Sequence, residues 1–153
     1  METLEPILAD HPFIKGLKHE HVQLMVGCAR NVKFDAGEFV LREGQEANEF
    51  YIIRHGQVNL EIHGPKSHAI TIHTVREDDV LGWSWLFPPY LWHFDARVIE
   101  LTRAIALDAK CLRAKCEKDP SLGYELAKRL AHVIEHRLQG ATLQLLDLYS
   151  SVD

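Results

Sequence analysis

Three sets of side chains in this 153-residue chain have the types and spacing to do chemistry. Among ten histidines, His55, His63, His68 and His73 sit on or near short apolar runs, and histidines converging from neighbouring strands can hold a metal ion. Cys28, Cys111 and Cys116 form no CxxC pair and no even set, so they read as packing residues in a reducing compartment, not as a disulfide framework or a redox couple. The third set lies in Val80–Val98, the densest run of aromatics, turn formers and small residues. There Gly82 allows backbone angles closed to other residues, Ser84 can cap a short helix after it, and Pro88-Pro89 ends that helix. Unpaired N–H groups at such a helix start attract anions, whereas the bland alternative is that Trp83, Trp85, Trp92 and Phe94 fill a core beside a tight turn. No nucleophile, base and oxyanion donor occur as a set, so nothing points to catalysis.

These residues must be positioned by the elements around them. Leu17, Val22, Leu24, Met25, Val26 and Ala29 have helical spacing, and with the Pro6 start and the His11-Pro12 break they predict two short helices in a lead-in over residues 1–31. From Val32 the period changes to that of strands: Glu38–Arg42, Phe50–Ile53, Val58–Ile62 and Ala69–Val75, with turns at Phe34–Gly37, Glu43-Gly44, Arg54–Gln57 and His63–Lys66. Short strands recurring at about 8 to 12 residues indicate a β-sandwich or jelly roll. A last long strand is expected over Val98–Leu107, closing a β-roll over 32–107 with a short helix near 83–87. Helices fill 108–150: one from Asp108, and a long one from about Ser121 to Tyr149. Ala127, Leu130, Ile134, Leu138, Ala141, Leu145 and Leu148 form its apolar stripe, longer than one sandwich face covers, so its outer half is expected to pair with a second copy as a homodimer. Lys128, Arg129 and Arg137 read as its solvated face or as flanks of that dimer. The class is α+β, mainly β, in one domain over 1–153.

With 46% hydrophobic and 25% charged residues, the chain supports one good core. A net charge of -5 supplies no general field for nucleic acid or an anionic membrane, so any anion needs a local site and direct DNA binding is not expected. The acidic start lacks a signal pattern and no apolar run approaches bilayer length, which predicts a soluble cytoplasmic protein.

The order of elements, with Phe34-Asp-Ala-Gly-Glu-Phe-Val-Leu-Arg-Glu-Gly44, Ala47 and Phe50–Val58, resembles the cyclic-nucleotide-binding domain of catabolite-activator-type regulators, kinase regulatory subunits and gated channels. Asp79-Val-Leu-Gly82 falls where that family's phosphate-binding cassette begins, and the likeness spans about residues 11 to 149. It implies a non-enzymatic sensory or regulatory β-roll in which a ligand at the cassette shifts the last helix. The chain stops where a family transcription factor would begin its helix-turn-helix, so no DNA-binding domain is expected and output passes to a partner protein or through dimerisation.

Inside the cassette the likeness breaks. Nucleotide binders of the family follow the glycine with a glutamate for the ribose hydroxyl and later supply an arginine for the cyclic phosphate. Trp83 stands in the first position and Phe94 in the second; Ala96 fits the pattern, and Arg97 comes three positions late. Strand geometry turns Arg97 opposite to Ala96. A buried phosphate without a cation costs several kcal/mol, and each ~1.4 kcal/mol is tenfold in affinity. The usual binding of cyclic AMP is therefore not expected unless Arg97 or a protonated His93 reaches the site. Gly82, Trp83, Ser84, Trp85, Phe94, Ala96 and Arg97 are the candidate ligand-binding residues, for a nucleotide-like or other small anionic or aromatic ligand; no cofactor is assigned. Two alternatives are a structural or protein-interaction subunit with a plugged pseudo-site and a cupin-like metalloenzyme, although the cupin His-x-His signature is absent.

Overall fold

The computed structural model describes residues 4–64, 66 and 68–150. Helices α1 (Glu5–Asp10, with Pro6 in its first turn) and α2 (His19–Val26) lead into strands β1 (Ala29–Phe34), β2 (Phe39–Leu41), β3 (Glu49–His63), β4 (Ala69–Val75), β5 (Val80–Leu81) and β6 (Asp95–Asp108). Helices α3 (Ala109–Lys118) and α4 (Pro120–Ser150) follow. All strand pairs are antiparallel in the order β1-β6-β3-β4, with β2 on β6 and β5 on β3. The result is the β-roll with leading helices and a long terminal helix.

The expected turn at Arg54–Gln57 is instead part of one 15-residue strand. Register shifts between Ile53 and Val58 absorb the extra residues. Gly56 has φ +109°, and a Cβ there would stand 2.3 Å from Thr102 Oγ1 and 2.6 Å from Thr102 Cα. A bulge and a turn both call for glycine at positive φ, so composition could not tell them apart. The roll also starts at Ala29, earlier than Val32, and its final strand runs from Asp95 to Asp108. The expected His63–Lys66 turn includes position 65, which lies outside the described residues.

The core lies between the roll, the lead-in helices and the first half of α4, where Leu122, Leu126 and Leu130 are fully buried. Of the expected stripe, Leu130 lies on the face α4 turns to the roll, whereas Ala127 is exposed and its place in that face is taken by Leu122 and Leu126. At 31 residues, about 46 Å, α4 outruns the roll, and Leu138 and Leu145 beyond it are exposed.

The cysteines also depart from expectation. Cys28 and Cys111 form a disulfide across 83 residues, and Cys116 alone is free. Pairing of Ala29 with Leu107, and the hydrogen bond from Asp108 N–H to the Cys28 carbonyl, bring the end of α2 beside the first turn of α3. The two Cα atoms then lie 5.7 Å apart, within bridging range. Strand pairing creates that proximity, which spacing along the chain cannot show.

Candidate ligand-binding site

Gly82 opens the cassette at φ +87° as the N-cap of a four-residue 3-10 turn, Trp83–Leu86. A Cβ at this position would lie 2.7 Å from Trp92 Cη2, so glycine is needed for space as well as for its angle. Ser84 is not the cap: it is the buried second residue of the turn, and its carbonyl accepts from Phe87 N–H. Phe87 is extended and the two prolines follow, so the turn ends after its fourth residue.

The aromatics divide into two roles. Trp85 is wholly buried and stacks on Phe50 with centroids 5.5 Å apart, and Trp92 is buried over Gly82. Those two are core. Half-buried Trp83 meets Phe94 edge to face at 6.2 Å, and both line a cavity of 260 Å³. Leu60, Ile72 and His73 of the roll form another wall, and His136, Arg137, Gly140, Ala141 and Gln144 of α4 close it.

Ala96 is buried opposite Leu60 on β3. Its neighbour Arg97 is not part of the cavity wall: Nη2 donates to Glu61 Oε2 at 2.8 Å, and Nε lies 3.2 Å from each carboxylate oxygen. Asp95, in turn, accepts the Glu43 N–H at 2.8 Å.

The cation at the cavity comes from α4. Expected on a solvated face, Arg137 has a side chain only 10% exposed. Its Nη2 donates to the Val80 carbonyl at 2.7 Å and to Asp79 Oδ1 at 3.2 Å, and its guanidinium lies 4.8 Å over the Trp83 ring. Nη1 is buried with no hydrogen-bond partner among the described residues. Burial lowers the guanidinium pKa against the pull of Asp79. Burial by itself pushes the Asp79 carboxyl up, but neighbouring His73 and Arg137, with the Val80 N–H, outweigh it and hold Asp79 below the ordinary range. His73 Nε2 lies 3.7 Å from Asp79 Oδ2, too far for a hydrogen bond.

Sequence reasoning missed Arg137 because a lone arginine in a mixed helix reads as solvent-facing. One signal was present: Leu126, Leu130, Val133 and Arg137 recur at steps of four, three and four, which places Arg137 on the buried face. Arg129, grouped with it, donates to the Phe13 and Lys15 carbonyls, and only Lys128 of that trio is exposed. Asp79 and Val80 were noted only as the start of the cassette. Among the described residues no group of three or more His, Cys, Asp or Glu could hold a metal ion.

The cyclic nucleotide-binding domain family model matches residues 31–119, more than half of the chain. The chain belongs to this family. The structure superposes on a cyclic nucleotide-binding domain from Methylobacillus flagellatus with TM-score 0.82 at 16% identity, covering 96% of this chain and 86% of that one. A Geobacter metallireducens protein named for cyclic nucleotide binding gives TM-score 0.79 at 22% identity over 90% and 99%. The sensor domain of the transcriptional regulator DNR from Pseudomonas aeruginosa gives 0.70 at 17% over 88% and 91%. At these identities the likeness is one of fold. Against curated proteins the sequence has no match. Cyclic nucleotide-binding domains are regulatory, not catalytic. In this one no described helix is long and apolar enough to cross a membrane.

Proposed function

We propose that this cyclic nucleotide-binding domain is a sensory module in which occupancy of the cavity at Trp83 and Phe94 is reported by α4, and that it does not hold cyclic AMP in the usual way. The observation that carries this reading is Arg137: one side chain of α4 grips Asp79 and Val80 at the mouth of the cassette and covers Trp83 inside it. A second grip comes from α3, where Arg113 donates to the Trp85 carbonyl at 2.6 Å and stacks over Tyr90. A shift of the cassette therefore pulls on both helices. Trp83, Phe94 and the engagement of Arg97 with Glu61 support a departure from the usual ligand contacts.

The output surface is the overhanging half of α4. Ile134, Leu138, Ala141, Leu145 and Leu148 repeat at steps of four and three, the pattern of a two-stranded seam, and we assign its partner as a second copy of the chain. Ala141 belongs to both the seam and the cavity wall, so occupancy and pairing are coupled through one helical turn. The cytoplasmic setting belongs to the same reading and requires that the Cys28–Cys111 bridge seen in the structure be reduced there, which trapping of free thiols in intact cells tests.

Native mass spectrometry of protein from its own cells, followed by hydrogen exchange of α4 before and after removal of small molecules, tests the module. A retained low-mass ligand, two copies per particle and slower exchange over residues 134–149 in the loaded form are expected. A ligand-free particle whose α4 exchange is indifferent to small-molecule extracts of those cells supports the plugged pseudo-site instead.

A further inference from the structure

We infer that the corner between Trp83, Phe94 and α4 is a site for a small planar monoanion, one aromatic or heteroaromatic ring system bearing a carboxylate, with Arg137 Nη1 as its anchor. The inference rests on the sensory reading above and adds the chemistry of the occupant.

Five observations converge on it. Arg137 is a charged side chain nine-tenths buried on the cavity wall, yet Nη1 has no acceptor among the described residues. A buried guanidinium donor without an acceptor is costly, and an anionic oxygen is the acceptor that best relieves it. His73 Nε2, on the same wall, likewise lacks a hydrogen-bond partner among the described residues and can share the anion. Asp79 already offsets one positive charge, so the site suits a single negative charge better than two. For the body of the ligand, Trp83 and Phe94 offer aromatic surface, and Gly140 and Ala141 keep the α4 side shallow. The volume decides its size. At 260 Å³ the cavity lies under the usual range for drug-sized ligands, about 300 to 1,000 Å³, and favours an acid of one or two rings over a whole nucleotide.

Calorimetric titration of the full chain with benzoate, indole-3-carboxylate, the neutral isostere benzamide and cyclic AMP tests the assignment. Both carboxylates are expected to bind the unaltered protein, with benzamide clearly weaker. Arg137→Gln should weaken the carboxylates by about tenfold or more, as expected for a lost charged hydrogen bond. Asp79→Asn removes a competing carboxylate at similar shape, so it should tighten them. These opposite signs separate an anion contact from general disturbance of the fold, and circular dichroism checks that each variant is folded. Carboxylates that fail to bind at roughly 1 mM, where affinity is only about 4 kcal/mol, overturn the inference. So does binding unaffected by Arg137→Gln, or equal binding of benzamide. If cyclic AMP alone binds and α4 exchange slows, the aromatic-carboxylate assignment fails while the link between the cavity and α4 stands; if carboxylates bind as described and α4 exchange is unmoved, the site stands and the sensory reading fails.

Discussion

His11 and Arg137 are both buried polar groups, placed at opposite ends of the chain, and the structure treats them differently. His11 lies under the lead-in helices with both ring nitrogens engaged: Nε2 with the Ile53 carbonyl at 2.9 Å, and Nδ1 accepting the Phe13 N–H at 3.2 Å. Of the hidden side-chain atoms without a hydrogen-bond partner among the described residues, His21 Nδ1, Trp85 Nε1 and Arg129 Nε lie elsewhere, whereas Arg137 Nη1 and His73 Nε2 belong to two residues of one cavity wall. A satisfied buried group fixes one arrangement; an unsatisfied one leaves free energy to be gained by whatever supplies an acceptor. The same division runs along α4, which buries Leu122, Leu126 and Leu130 in its first half and exposes Leu138 and Leu145 in its second. The lead-in helices, roll and early α4 make a rigid frame, and the cassette corner is where that frame can be biased.

The strongest way to break this division is at Trp85, the cassette aromatic buried most completely in the frame. Trp85→Ala removes a fully buried ring stacked on Phe50 and should cost about 3–5 kcal/mol in urea denaturation. Leu145→Ala, in the overhang, should leave the stability of the isolated monomer within about 0.5 kcal/mol. A Trp85→Ala cost no larger than that would place the whole cassette outside the frame.

Next in size is the bridge that ties α2 to α3. Reduction, or Cys111→Ser, should lower stability by roughly 2–4 kcal/mol, read as the loss of denaturation midpoint on adding a reductant. The free Cys116 serves as internal control. Burial, with Asp119 and Glu117 nearby, pushes its thiol to about 11, so it should alkylate slowly at pH 8 with the fold intact. Rapid labelling of Cys116 under those conditions would show that the α3–α4 junction opens.

A smaller effect is expected at Gly82, the boundary between frame and corner. Alanine there meets Trp92 and must hold φ near +87°, for a cost of about 1–3 kcal/mol. The loss should appear together with red-shifted tryptophan emission, because the ring that must move is Trp92. A stability loss without that shift would put the strain elsewhere.

The frame was legible in the sequence because its signals are periodic. The apolar strand runs at Val58–Ile62 and Ala69–Val75, the Pro6 start and the Pro120 opening of α4 each carry local physical information, and the structure has a strand or a helix start at each. The corner was legible only in part. Trp83 and Phe94 stood out by type, and the structure places both on the cavity wall. Arg137 did not, since its role depends on a contact with Asp79 across 58 residues. Cys28–Cys111 was hidden for the same reason: the register of β1 on β6 decides it, and register is a tertiary property. Ser84 misled because a serine after glycine satisfies the capping rule, whereas the turn starts one residue earlier and buries it.

Acid should separate frame from corner in two steps. Burial holds the His11 pKa below its ordinary 6.5, against the smaller upward pull of the Ile53 hydrogen bond and of Asp78 and Asp79. Below pH 6.5 the unfolded chain takes up a proton that folded His11 refuses, so stability falls as pH drops through that value and the loss stops growing below the folded pKa. Asp79 works in a lower window. Its folded pKa lies under the ordinary 3.8, so the stability it contributes is complete above that value and is lost as pH falls through the folded pKa. Urea denaturation from pH 7.5 to 3 should therefore lose its upper component in His11→Gln, where the amide can still donate to Ile53, and its lower one in Asp79→Asn. If Asp79→Asn erased the upper component as well, the two regions would be one coupled unit, because the Asp79 charge would then govern the His11 proton rather than merely lie near it.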